Sequence, residues 1–305
     1  MAQFRRSHQR KSRSESSGTI AKVGIFAAIL GGLYFLFQKF SGSPPPPEEP
    51  VKEDVANLEQ TGEDSIFYLP TSTTGEVVRH QFYALSYLDK YEVPEWVAYE
   101  LTAERLNETW VERSNNFRPD PKVESGSATP DDYKNTRFDR GHLVPAADMA
   151  FSNEAMSETF FLSNIAPQDP AFNKGIWREL EELTRDWAKK AGHLYVVSGS
   201  VFDQPVKFWL GENQVAVPPA FFKVLLDLKG EKAIAFIIPN ALSEERIESF
   251  ATSIDEVEKL TGINFFPNLL EPDFEQELEA NFDVSLWKSN EKKYQVRVEN
   301  WNTLQ

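Results

Sequence analysis

The stretch RFDRGHLVPAADM, Arg137–Met149, sets His142, one of only four histidines, beside Asp139 and Arg140. An imidazole near neutrality can take a proton from water. It can equally pack and hold a turn, and this stretch alone does not separate the two roles. Further along, NKGIWRELEELTRDWAKKA supplies Asn173 and Glu181. An amide oxygen and a carboxylate can together address a hard cation such as Mg²⁺, which prefers oxygen ligands and keeps several waters. A histidine base, one asparagine ligand and a glutamate holding the ion's waters suit hydrolysis of a phosphodiester. The cation there steadies charge on phosphorus and on the leaving oxygen. The competing reading makes Asn173 a helix N-cap and Glu181 a solvated face.

The elements that must position these residues follow from hydrophobic spacing. Ile176, Leu180, Leu183, Trp187 and Ala191 recur at helical intervals and predict a helix over Lys174–Ala191. On an ideal wheel of about 100° per residue, Asn173 and Glu181 share one flank, about 12 Å apart along the axis. A glutamate leans toward its helix N-terminus, which shortens that gap. Val77–Leu88, Glu95–Leu101, His193–Phe202, Phe221–Leu228 and Lys232–Pro239 are rich in β-branched and aromatic residues and predict strands. A second helix is expected over Ile247–Thr261, stopped by Gly262. The elements mix without strict βαβ alternation, so the expected class is α+β: an antiparallel sheet core flanked by helices. The sequence shows no internal repeat.

Composition excludes several chemistries. The 305 residues contain no cysteine, which removes disulfides, thiolate nucleophiles and thiolate-bound zinc. The Ser198–Ser200 segment SGS lacks the G-x-S-x-G elbow of a serine hydrolase, and no glycine-rich nucleotide loop is present. His8 lies in a basic tail, His80 beside an aromatic strand, and His193 at a strand start; each reads as non-catalytic. Lys223 reads as structural or as a substrate contact.

The net charge is −15, unevenly spread. Residues 1–40 hold seven of the 32 Lys and Arg but one of the 47 Asp and Glu, leaving 25 basic against 46 acidic residues beyond. Bulk charge therefore argues against a nucleic-acid partner, whose phosphates usually select a basic surface.

Val23–Phe37 has no charged residue, and residues 20–40 reach the length of about 20 residues that a membrane span needs. The preceding RRSHQRKSR puts the N-terminus on the cytoplasmic side. The expected layout is a basic tail over 1–19, a single transmembrane anchor over 20–40 and a Pro-rich acidic linker over 41–64. A globular domain over 65–290 and a C-terminal tail over 291–305 complete it. A cleaved signal peptide is the alternative for the apolar segment.

Three ordered motifs tie these observations together. DRGH (Asp139–His142), FFLSNIAPQ (Phe160–Gln168) and then Asn173, Trp177, Leu180 and Glu181 resemble the DNA/RNA non-specific endonucleases. These are the ββα-metal nucleases that include endonuclease G. Weaker resemblance extends over about residues 66–270. The resemblance implies His142 as general base, Asn173 as the one direct protein ligand of Mg²⁺ or Mn²⁺, and Glu181 as a carboxylate reaching that ion through water. It implies Arg140 as a phosphate or geometry residue and Asn164 as a supporting residue. Arg113 is implied as a phosphate clamp, with Arg118 competing for that place. Asp139 reads as structural, bonding backbone at the turn. The implied substrate is the backbone of DNA and RNA, cut internally to leave 5′-phosphate ends, by a protein that is often a homodimer in this family. A tethered domain would face the periplasm or the mitochondrial intermembrane space, or be secreted after cleavage. Other readings are a 5′ exonuclease of the same fold and a non-catalytic nucleic-acid-binding or protein-binding envelope protein.

Overall fold

The computed structural model describes residues 68–302. The expected basic tail, transmembrane anchor and linker all lie outside the described residues. Among the described residues no helix is long and apolar enough to cross a membrane.

Seven antiparallel strands make the central sheet, in the order β1-β2-β3-β6-β9-β10-β11. They are β1 (Glu76–Arg79), β2 (Ala84–Leu88), β3 (Val93–Thr102), β6 (His193–Val201), β9 (Ala220–Asp227), β10 (Lys232–Pro239) and β11 (Ala251–Thr252). Strands β4 (Asp139–His142) and β5 (Ile165–Gln168) form a separate ribbon, as do β7 (Trp209–Leu210) and β8 (Val215–Ala216). Helices are α1 (Ala103–Leu106), α2 (Asn153–Glu158), α3 (Arg178–Ala191), α4 (Ile254–Thr261), α5 (Pro272–Ala280) and α6 (Glu291–Val296). The class is mixed α+β with a large antiparallel sheet, as expected.

Side chains alternate across the pleat, so each long strand feeds two cores. Val97, Tyr99, Leu101, Phe221, Leu225 and Phe236 face Leu180, Leu183 and Trp187 of α3. Trp96, Ala98, Phe222, Val224 and Ala235 face the opposite way, onto Ile254 and Val257 of α4 and Leu278 of α5. With both faces covered, strands such as AFFKVLLD are buried throughout. Each large apolar side chain on the α3 stripe contributes roughly 1.5–3 kcal/mol by burial. The exposed Arg178–Glu182 pair on the same helix contributes only about 0.3–0.5 kcal/mol. Packing therefore holds α3 in place.

Three expectations change. The sequence Val77–Leu88 is two strands, because the chain turns at His80, whose amide donates to the Tyr83 carbonyl at 2.9 Å. The helix expected from Ile247 starts instead at Ile254, where Ser253 caps it by accepting from the Glu256 amide; residues ahead of it enter β11. Residues 291–302, expected as a tail, form α6 and a following wide turn, Arg297–Trp301, whose Arg297 is wholly buried. That segment reads as polar because its anchor is a charged residue rather than an apolar one.

Candidate active site

The ribbon and the helix after it make a ββα unit. Asp139 pairs with Gln168, and His142 with Ile165. Gly141 is required between them: a Cβ there would lie 2.1 Å from the Gln168 side chain. The chain then turns through Asp169, whose carboxylate accepts from the Ala171 amide at 2.9 Å. Asp169 thus takes the capping role. The Asn173 amide instead bonds inside the helix, to the Asp169 carbonyl at 2.8 Å, which frees the Asn173 side chain.

The helix is not the ideal cylinder of the wheel. Phe172–Trp177 winds wide, with i→i+5 spacing, and Gly175 departs from helical geometry at φ −98°, ψ −110°. Regular α geometry begins at Arg178 rather than Lys174. Wide turns of this kind often mark functional sites. A Cβ at Gly175 would lie 2.7 Å from Oδ1 of Asn302, so the turn is also packed too closely for a larger residue. The rotation between Asn173 and Glu181 therefore differs from the ideal value. The two open on separate recesses, Asn173 with Arg140 and Lys134 in a cleft of about 530 Å³ and Glu181 with Arg185 in another.

Asp139 bonds side chains, not the turn backbone. It accepts from Nδ2 of Asn173 at 3.0 Å and pairs with Lys174 at 3.1 Å. A carboxylate can only accept, so this bond fixes which way the Asn173 amide points. Its Oδ1 is left without a donor among the described residues. For an ion held by Asn173, as the family resemblance implies, Asp139→Asn should raise the divalent-ion concentration for half-maximal cleavage about 10–100-fold, as loss of a residue orienting a metal ligand does. A metal titration of cleavage rate checks this.

His142 is 8% exposed. Its ring meets Phe160 edge-on at 4.8 Å and lies 5.5 Å from Phe117. Two arginines stack on the same rings, Arg140 over Phe117 at 4.1 Å and Arg113 over Phe160 at 5.1 Å. Burial, then Arg113 and Arg140, push the imidazole pKa down to about 3. The ring is neutral at physiological pH, and its Nε2 has no partner among the described residues. Arg113 also acts on Glu181, so it links the two recesses. Arg118 is occupied elsewhere, donating to the Ser157 carbonyl and hydroxyl and stacking on Phe161 at 3.9 Å. Of the two, Arg113 is the one that stands beside His142.

Asn164 was expected as a supporting residue of the catalytic site. It is wholly buried and precedes β5 in a short turn; its Oδ1 accepts from the Val144 amide, and its Nδ2 donates to the Val144 and Thr159 carbonyls. With its amide spent on backbone, it holds the loop after His142 and cannot touch substrate. Lys223 is also fully buried, donating to Ser198 Oγ at 2.6 Å and lying over Trp177 at 4.8 Å. It is structural. His80 bonds Asp120 at 2.8 Å, and His193 opens β6, both outside this cluster.

Sequence reasoning missed the support beneath Glu181. Asp148 accepts from Arg185 and from the Tyr99 hydroxyl, each at 2.7 Å. Burial raises the Glu181 carboxyl, and Arg185 and Lys223 pull it back; burial lowers Lys223. A lone lysine within the apolar run AFFKVLLD was the available signal.

A buried histidine, two arginines and an asparagine amide oriented by Asp139 gather on one ββα unit. The chain belongs to the DNA/RNA non-specific endonuclease family, whose model matches residues 62–271. Mitochondrial nuclease EXOG of Mus musculus is 32% identical over 284 residues, covering 86% of this chain and 75% of that protein. Mitochondrial endonuclease G of Homo sapiens is 37% identical over 203 residues, covering 62% and 68%. A crystal structure of an EndoG/EndoGI complex superposes at TM-score 0.60 with 31% identity, covering 65% of this chain and 88% of that one.

Proposed function

We propose that this nuclease is a metal-dependent, sugar-non-specific endonuclease that hydrolyses DNA and RNA and leaves 5′-phosphate ends. The observation that carries the reading is the Asp139–Asn173 bond, which turns a neutral amide oxygen out as a donor. One neutral oxygen donor suits an ion that keeps most of its water, which favours Mg²⁺, with Mn²⁺ as a substitute. Such an ion, held by Asn173 and reached only through water by Glu181 from the neighbouring recess, would offset charge on phosphorus and on the leaving oxygen. Neutral His142 takes the proton of the attacking water. Arg113 and Arg140 receive the phosphate. Contact with backbone rather than base edges carries no sequence information, which supports action on both nucleic acids.

The acidic total does not oppose this. Lys134, Arg140 and Lys174 line the cleft that Asn173 opens on, with Asp139 as its acid. Arg113 stacks on Phe160, against which His142 also packs. A local basic cleft on an acidic surface favours turnover over tight retention.

Digestion of supercoiled plasmid and of RNA, with and without EDTA, tests the reading. Relaxation of the circle, RNA cleavage and loss of both with EDTA are expected. Cleavage that survives EDTA removes the metal, and an uncut circle removes endonuclease action. Asn173→Ala should abolish cleavage or raise its Mg²⁺ requirement. Residues 20–40 support a membrane tether, and relatives named as mitochondrial support a mitochondrial membrane. Release of the full chain by carbonate extraction would remove the tether.

A further inference from the structure

We propose that Asp255, Glu258 and Glu279 form a second cation site, for a hard divalent ion of the Ca²⁺ class, on the sheet face opposite the nuclease cleft. Asp255 and Glu258 lie three apart on α4 and so share a face. Glu279 comes from the last turn of α5. One ligand oxygen from each lies within 4.8 Å of the others. The helices pack on the core that includes Trp96, Phe222 and Phe265, across the sheet from α3 and His142.

Acidic clusters are common without an ion. Glu279 sets this one apart. It is 4% exposed, and its Oε1 has no hydrogen-bond partner among the described residues. A buried carboxylate with no partner is costly unless a proton or a cation neutralises it. The charges that act on it are Glu258, Glu275 and Asp255, all acidic. The nearby Lys259 pairs with Glu256 instead. Without an ion, burial and these neighbours push the Glu279 carboxyl up to about 9. Proton and cation thus compete for one place.

The donor chemistry selects the ion. The cluster offers carboxylate oxygen alone, with no imidazole or thiolate, so a soft or borderline metal is disfavoured. Oxygens within 4.8 Å of one another are close enough to share one ion. Ca²⁺ binds at about 2.3–2.6 Å in irregular geometry, whereas Mg²⁺ demands an octahedron at about 2.0–2.1 Å. Glu258 spends Oε1 on the Phe265 amide at 2.7 Å and keeps its other oxygen. Exposed Asp255 leaves one side open to water. The family match ends at residue 271, just before α5. An ion here staples the segment after the family domain onto the domain itself.

Thermal unfolding of the protein in an Asn173→Ala background, which disables the cleft site, tests this with CaCl₂ as the probe. A saturating concentration should raise Tm by about 5 °C, with a smaller effect from MgCl₂. Glu279→Gln should abolish the rise and leave the ion-free Tm unchanged or higher, since the amide resembles a protonated acid. Asp255→Asn, at an exposed position, should weaken Ca²⁺ binding about tenfold by calorimetry. An unmoved Tm in the parent, the mark of a proton as sole occupant, overturns the proposal. So does a full rise in Glu279→Gln.

Discussion

His142→Ala lowers kcat for plasmid and RNA cleavage by about 10²–10⁴-fold, the usual worth of a positioned general base. Tm shifts by only a few degrees. The change opens a small cavity beside Phe117 and Phe160 but also removes a buried nitrogen without a partner. These effects oppose each other, so lost activity with a retained fold points to chemistry. Unchanged cleavage would end the assignment. The pH behaviour is a further check. Two of the three causes that depress His142 are Arg113 and Arg140, the groups that would receive phosphate. A bound phosphodiester offsets both charges, so the imidazole pKa rises on binding. The profile of kcat/KM, which reports the free enzyme, should show no His142 limb above about pH 4, whereas kcat should fall at a higher pH. A limb at the same pH in both profiles would contradict this. Stability carries the same signature. An unfolded histidine takes a proton near pH 6.5, while the folded chain refuses it down to about 3. The unfolded state therefore binds more protons between these values, and stability declines as pH falls through that window. In His142→Ala this part of the decline disappears, as urea unfolding at several pH values would show.

Much of this site was legible because its chemistry is local. Asp139, Arg140 and His142 lie within four residues, and a strand puts Arg140 and His142 on one face. The stripe Leu180, Leu183, Trp187 marked α3 by spacing alone. What escaped depends on distant partners. A wheel cannot register the wide turn at Phe172–Trp177, because the departure at Gly175 is matched to Asn302, far along the chain. Asn164 reads as a site residue in a motif, yet only the folded loop shows its amide consumed by Val144 and Thr159. Asp148, Arg185 and Tyr99 come from a loop, a helix and a strand that no local pattern joins. Residues 291–302 look like a solvated tail because their burial rests on an ion pair, which hydrophobic periodicity does not see.

That ion pair carries the largest expected loss of stability. Arg297 is 0% exposed, and its Nε donates to Glu179 of α3 at 2.5 Å. Its two other nitrogens donate to the Ser243 and Glu245 carbonyls. Burial pushes the Glu179 carboxyl up, and Arg297 holds it down against that pressure. Arg297→Met leaves a buried glutamate unpaired, which costs about 3–5 kcal/mol. For a domain of this size Tm should fall by roughly 10 °C. Replacing both partners, Arg297→Met with Glu179→Met, should restore most of the loss, because two apolar groups leave no charge to solvate. If the double variant is as unstable as the single one, the carbonyl bonds of Arg297 matter more than its partner. Breaking the exposed Arg178–Glu182 pair on the same helix should cost under about 1 kcal/mol. The consequence reaches the cleft. Glu179 lies between Asn173 and Glu181 in sequence, and Asn302 abuts Gly175 in the turn that bears Asn173. Well below its melting point, Arg297→Met should therefore need more divalent metal for half-maximal cleavage while KM for DNA holds. An unaltered metal requirement would confine the C-terminal helix to stability alone.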